Sequence, residues 1–300
     1  MDPMNGGPRL ILDHVTGREE YSDGDVEEDI LELVSSGRNL EEVVRSDGRW
    51  AILYHLDPRR RNLLEWFPFR NDASLLEIGA GCGALTGLFC EKVANVTAVE
   101  LSERRARIIA ARYPSQHNLT IYGGNIEDVP AGEYDYVTLI GVLEYAGRYR
   151  RSADPYGDLL RQTAKSLKPD GTLILAIENR FGLKYWAGAP EDHSGKLFQG
   201  LEGYPGERGF RTFGREELLM MLQEAGFSSL DLFYPYPDYK FCDRLHSDRS
   251  LPRPGGMGRE VPSYDQERFV LFDEGLAFDG IVSNGAFPLM ANSFLVICRR

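Results

Sequence analysis

The chain has 300 residues, with 34 Lys and Arg against 46 Asp and Glu, a formal charge of −12. This balance speaks against a protein whose main task is holding nucleic acid, which needs clustered basic side chains on the phosphates, though not against an enzyme that touches RNA locally. A hydrophobic fraction of 42% with 27% charged residues excludes a disordered chain and supplies a core for one large domain or two small ones. No apolar run approaches the ~20 residues of a membrane helix. The opening Met-Asp-Pro-Met-Asn-Gly-Gly-Pro lacks the basic and apolar blocks of a secretory signal. Cys82, Cys90, Cys242 and Cys298 form no Cys-x-x-Cys pair, so neither a disulfide scaffold nor a zinc site is expected. A cytoplasmic protein follows.

In chain order, residues 1–20 read as flexible and 20–68 as a helical cap. Ile30, Leu31 and Val34 give one helical stripe, and Leu40, Val43 and Val44 begin another. Asp57-Pro58 is an N-cap followed by proline at the first helical position, opening a helix over 59–66. Short apolar runs then alternate with helical segments. Strands are expected at 74–78, 96–100, 119–122, 134–140 and 172–177, with helices at 84–93, 102–113 and 155–167. Continuous apolar strands between helices mark a parallel sheet covered on both faces. A helix at 215–225 ends at Gly226, and strands follow at 230–234 and 293–298.

The expected fold is therefore α/β: a Rossmann-like, mostly parallel, seven-stranded sheet with helices on both faces. Its segments are a flexible start and helical cap (1–68), a Rossmann core (69–178), an insertion (179–213), core again (214–235), a second insertion (236–292) and a final core strand (293–300). Both insertions are rich in Gly, Pro and aromatics, and loops this long are usually functional lids or small subdomains. Both follow strands, which sets them over the carboxyl edge where open α/β folds bind ligands.

The strongest local signal is Leu75-Leu76-Glu77-Ile78-Gly79-Ala80-Gly81-Cys82-Gly83, an apolar strand running into three alternate glycines before a helix. Glycine permits the sharp turn and lets a ligand approach the backbone. Glu100, ending the next strand, stands where an acidic residue holds a ribose hydroxyl pair in dinucleotide-type sites. The spacing is not the Gly-x-Gly-x-x-Gly that seats a pyrophosphate on a helix start. Glu77 beside the turn is unhelpful to a diphosphate and suits a cationic ligand such as S-adenosylmethionine, which carries a sulfonium and an ammonium. A structural glycine turn is the plain alternative.

Glu77-x-Gly-x-Gly-x-Gly, Glu100, Gly124-Asn125-Ile126-Glu127, the run Tyr134 to Tyr145 and Leu167-Lys168-Pro169-Asp170-Gly171 together resemble the successive motifs of class I S-adenosylmethionine-dependent methyltransferases. The resemblance covers roughly residues 73–177. It implies a cofactor set of Glu77, Gly79, Ala80, Gly81 and Gly83 around the methionine part, Glu100 with Leu101 at the ribose, Asn125 and Ile126 at the adenine, and Gly141 at the end of the fourth strand. Asn125 departs from the family's more usual Asp, and its amide oxygen still accepts from an adenine N–H.

For O-methylation an alcohol needs a base near it, whereas an amine needs only to be held neutral. His193 beside Asp192 is a candidate base, since histidine titrates near operating pH; a loop histidine is also commonly a surface residue. Glu144 and Glu178, ending the fourth and fifth strands, complete the candidate catalytic set; capping or structural hydrogen bonds are their alternative. These four could hold a magnesium-type ion, but no spacing code supports it and no metal ligand is assigned. Tyr185, Trp186, Tyr236 and Tyr239, aromatics with polar tips, are candidate acceptor contacts, or ordinary loop packing.

Asp23-Gly24-Asp25, Tyr54-His55-Leu56-Asp57-Pro58, residues 182–195 and residues 271–279 further resemble bacterial methyltransferase modules found alone or fused to glycosyltransferases of cell-surface glycan assembly. That resemblance implies a saccharide or other small-molecule acceptor and glycosyltransferase association. A small-natural-product N- or O-methyltransferase, a nicotinamide-dependent oxidoreductase and a non-catalytic binding module are the competing readings.

Overall fold

The computed structural model describes residues 6–15, 22–129, 132–258 and 266–300. It divides into two compact units, Met1–Leu139 with Ser166–Gly171, and Ile140–Lys165 with Thr172–Arg300. The first contains β1 (Arg9–Ile11), the cap helices α1 (Val26–Ser35), α2 (Leu40–Ser46) and α3 (Trp50–Leu56), then β2 (Ser74–Ile78), α4 (Thr86–Lys92), β3 (Asn95–Glu100), α5 (Glu103–Arg112), β4 (Leu119–Gly123) and all but the last residue of β5 (Tyr134–Ile140).

These five strands lie in the order β1-β4-β3-β2-β5 and every pairing is parallel. Leu75, Leu76, Val96, Val99, Ile121 and Val137 are all at most 2% exposed, as strands buried on both faces require. The register puts Glu77 beside Ala98 and Glu100 beside Gly123, so both acids stand at the carboxyl ends of their strands. Ser102 caps α5 by accepting from the Arg105 N–H, which turns the chain sharply after Glu100. Ile30, Val43, Ile52 and Leu56 of the cap share one buried cluster with Cys82 of the glycine turn and Ile108 of α5. The cap is thus fastened onto that turn.

The second unit contains α6 (Ala146–Tyr149), α7 (Pro155–Lys165), the greater part of β6 (Leu167–Glu178), α8 (Leu183–Trp186), α9 (Arg215–Glu224), β7 (Ser229–Tyr236), β8 (Arg244–Ser247), α10 (Glu274–Ser283), α11 (Phe287–Met290) and β9 (Ser293–Arg299). Its strand order is β6-β9-β7-β8, antiparallel at each pairing.

The Rossmann-like α/β organisation with a mostly parallel sheet stands. The strand number does not: the described residues hold nine strands rather than seven. The additions are β1, three residues inside the start expected to be flexible, and β8, whose Arg-Leu-His-Ser lacks an apolar face. Each is carried by pairing to a neighbour, not by its own burial. Residues 1–5 and 16–20 of that expected flexible start lie outside the described residues. The helix expected over 59–66 is a 3₁₀ turn at Pro58–Leu63, capped as anticipated by Asp57. The described part of the second insertion carries β8, α10 and α11.

Candidate active site

In the first unit, Gly79, Gly81 and Gly83 all take positive φ, at 72°, 57° and 79°, a region that strains any residue with a Cβ. Beside Gly81 there is room as well: the nearest atom to a Cβ placed there is His55 Cε1 at 4.0 Å. Gly83 differs, since Tyr113 Cε2 would stand only 3.0 Å away and the Tyr113 hydroxyl donates to the Gly83 carbonyl at 2.6 Å. The third glycine therefore accommodates a neighbouring ring. The amides of Gly79 and Ala80 donate to the Val99 carbonyl, pinning the turn to β3.

Two buried carboxylates flank this turn. Glu77 accepts from the Thr86 hydroxyl at 2.6 Å, and burial, with Glu100 adding repulsion, pushes its pKa up to about 8. Glu100 accepts from the Gly81 amide at 2.8 Å and the Ser102 amide at 3.0 Å. Burial raises its pKa while Arg105 opposes the rise. Each Glu100 oxygen keeps a second lone pair for a ligand hydroxyl. Leu101 is 37% exposed beside it. Asn125 is half-buried and spends one lone pair of Oδ1 on the Ile126 amide, at 2.8 Å.

In the second unit both insertions converge on the carboxyl end of β6. His193 is bound through Nδ1 to Glu191 at 2.8 Å, and the other Glu191 oxygen accepts from the amides of His193 and Ser194. Its ring lies between Tyr145 and Phe210. Nε2 stands 3.8 Å from Glu144 Oε1, too far for a hydrogen bond. Burial pulls the His193 pKa down, but Glu144 and Glu191 outweigh it and the imidazole titrates well above its usual range. Burial pushes Glu144 up, against the nearby His193.

Glu178 accepts from Tyr239 at 3.2 Å and from the Lys240 ammonium. Burial would raise its pKa, yet Lys240 brings it below the ordinary value. Asp192 is bound by Lys184 at 2.9 Å, by Lys240 at 3.1 Å and by the Tyr185 hydroxyl. Gly141, at φ 68°, leaves room for the Tyr239 hydroxyl, which would stand 2.7 Å from a Cβ there.

The structure thus joins His193, Glu144 and Glu178, while the acid partnering His193 is Glu191 and not its neighbour Asp192. Of the candidate acceptor contacts, Tyr185 and Tyr239 have their hydroxyls in the cluster, Tyr236 donates to the Gly258 carbonyl, and Trp186 is 46% exposed. Lys184, Lys240 and Glu191 escape a reading of the sequence. Only the run Asp238-Tyr239-Lys240, charged residues set in an aromatic and proline stretch, hints at one of them.

A family model described as a methyltransferase domain matches residues 51–232. The chain belongs to this family. This methyltransferase domain protein is 31% identical over 81 residues to the ribosomal RNA small subunit methyltransferase A of Syntrophus aciditrophicus (27% of each chain). It is 29% identical over 139 residues to a ubiquinone biosynthesis O-methyltransferase of Xanthomonas campestris (45% of this chain, 55% of that one). The chain therefore spans about a quarter and about half of these curated relatives. A solved S-adenosylmethionine-dependent methyltransferase from Archaeoglobus fulgidus superposes with a TM-score of 0.48 and 12% identity over 91% of this chain and 99% of that one. Membership replaces the oxidoreductase reading.

The methyltransferase domain takes S-adenosylmethionine as cofactor, which when bound supplies an activated methyl group. The turn fits it: open space at Gly81, a ribose-type acceptor in Glu100, and in Glu77 a buried acid. Because the Glu77 pKa is raised from 4.5 to about 8, the folded state holds a proton the unfolded chain has released. Its contribution to stability is present below pH 4.5 and lost as pH rises towards 8. Glu77→Gln should therefore gain on the parent by ~2–4 kcal/mol between these limits. Urea denaturation across that range measures it, and a pH-independent difference between the two proteins defeats it.

Proposed function

We propose that the protein transfers a methyl group from S-adenosylmethionine to a hydroxyl of a sugar or glycan, with His193, Glu144 and Glu178 handling the proton of the acceptor. Glu77, Gly79, Ala80, Gly81, Gly83, Glu100, Leu101, Asn125 and Ile126 are assigned to the donor, with Gly141. In-line displacement at an activated carbon mainly asks for alignment, but an alcohol holds its proton at neutral pH and needs help to lose it.

The observation that carries this reading is the buried group itself. Glu144 and Glu178, each 1% exposed, both keep one oxygen without a hydrogen-bond partner. An amine acceptor needs no such group. Trp186 and the tyrosines beside the cluster suit an acceptor with apolar faces and hydroxyls. The resemblance to glycan-assembly modules supports a saccharide, and a glycosyltransferase is the partner that follows. The Xanthomonas relative is by name an O-methyltransferase. The four cysteines are free and buried, in keeping with a reducing cytoplasm. No described helix is long and apolar enough to cross a membrane.

The test is incubation of the full chain with methyl-labelled donor and panels of oligosaccharides, nucleotide sugars, phenols and amines, read by mass spectrometry for the gain of one methylene. Label entering only amines or phenols sinks the sugar reading. His193→Ala should lower turnover ~10²-fold or more while calorimetric affinity for S-adenosylhomocysteine stays the same. Undiminished turnover in that variant removes His193 from the chemistry.

A further inference from the structure

We infer that Glu144, Glu178 and His193 form a binding site for one divalent first-row metal ion, which the acceptor hydroxyl then joins as a further ligand. The three side chains each bring one ligand atom to within 4.8 Å of the other two. Donors ~2.1 Å from an octahedral ion stand ~3.0 Å apart when adjacent and ~4.2 Å when opposite. The 3.8 Å between His193 Nε2 and Glu144 Oε1 is too long for a hydrogen bond and lies between those spacings.

The unpartnered oxygens are a second observation. Carboxylate oxygens buried without a donor are costly, and Glu144 and Glu178 each present one. A cation held by Glu144 Oε1 satisfies that of Glu178 and leaves that of Glu144 to take a proton. The surroundings are those of a supported ligand set. Glu191 holds His193 Nδ1 at 2.8 Å; with Nδ1–H fixed there, an ion that displaces the proton from Nε2 completes the carboxylate–histidine arrangement that orients metal-bound imidazoles. Lys240 occupies one oxygen of Glu178 and leaves the other. Asp192 is excluded as a ligand because Lys184, Lys240 and Tyr185 already surround it. Two carboxylates with one imidazole favour Mn²⁺ or Fe²⁺ over Mg²⁺, since nitrogen is a poor ligand for the harder ion.

The role of the ion rests on the hydroxyl-acceptor reading above; its binding does not. A ligated hydroxyl has a lowered pKa. Its O–H bond breaks with the proton passing to the second oxygen of Glu144. The electron pair left on oxygen forms the bond to the methyl carbon, and the carbon–sulfur pair stays with the departing sulfur.

The 300-residue chain, stripped with chelator, is titrated with Mn²⁺ alone, following the free-ion paramagnetic resonance signal. One equivalent should bind, with nitrogen modulation in the spin echo of the bound ion. His193→Gln should abolish the modulation, Glu144→Gln should weaken binding ~100-fold, and Glu191→Gln should weaken it ~10-fold. Circular dichroism checks that each variant is folded; if Glu144→Gln does not fold, His193→Gln and Glu191→Gln decide. No stoichiometric binding to the parent, or binding that keeps its nitrogen signal in folded His193→Gln, overturns the site. Methyl transfer to a hydroxyl that persists in chelator rejects the ion's role and leaves the hydroxyl reading intact. Tight Mn²⁺ binding with transfer only to amines rejects that reading and leaves the site.

Discussion

Arg105→Ala is expected to remove ~3–5 kcal/mol of stability and to loosen the donor turn with it. The Arg105 side chain is 4% exposed; its Nε lies 2.7 Å from Glu27, which is 0% exposed, and its terminal nitrogen lies 2.8 Å from Asp23. Asp23 in turn meets His55 Nε2 at 2.7 Å. Truncating the guanidinium leaves Glu27 buried without its cation, and the cost is dominated by that stranded charge. The effect reaches the turn because Arg105 also offsets the desolvation of Glu100. Without it Glu100 takes up a proton more readily and becomes a poorer acceptor for the Gly81 amide and for a ribose.

Arg105→Lys should recover only part of the loss, since one ammonium cannot fork between two carboxylates as a guanidinium does. The pair Glu27→Gln with Arg105→Met should cost much less than the single Arg105 change, because no uncompensated charge remains. Denaturant unfolding of the three variants with calorimetry of S-adenosylhomocysteine binding measures all of this. A loss below ~1 kcal/mol for Arg105→Ala would show that Glu27 does not depend on this guanidinium and that the network is ornamental.

What the sequence made legible is what local chemistry encodes. The turn after β2 was readable because only glycine takes three positive-φ positions in close succession, and β2 and β5 because fully buried strands are continuous apolar runs. Asp23 and His55 were visible as part of a resemblance, but the network that links Arg105 to Asp23 and Asp23 to His55 was not, since it joins residues 82 and 32 positions apart. β1 and β8 were missed because three or four residues cannot announce a strand that exists only by pairing. In the second unit, Glu144, Glu178 and His193 were found from their places after strands. Asp192 was chosen over Glu191 as the partner of His193 on adjacency alone, and the tight turn at 191–195 instead folds Glu191 back onto the imidazole. Lysines 184 and 240 were invisible because a buried lysine looks like a solvated one until its carboxylates are placed.

Lys240 offers the second large effect. Burial, the strongest single influence on it, works against its charge, but Asp192 and Glu178 outweigh that and hold it ionised well above the ordinary lysine range. The ammonium lies 3.1 Å from Asp192 and also binds Glu178. Lys240→Met keeps the length and apolar stem of the side chain and removes only the charge, so packing loss is small and the stranded carboxylates dominate. In chelator-treated protein the expected loss is ~3–5 kcal/mol, a large share of the ~5–15 kcal/mol that holds a typical fold together. Glu178 should suffer more than Asp192, because Lys184 remains 2.9 Å from Asp192 and continues to neutralise it. Adding Glu178→Gln to Lys240→Met should therefore restore part of the stability, whereas adding Asp192→Asn should deepen the loss by leaving Lys184 short of its partner. Hydrogen exchange at the amides of β6 and β7 reports the change locally. Protection there that is unaltered in Lys240→Met would mean that Glu178 is paired by something other than this lysine, and that the charge order of the cluster has been misassigned.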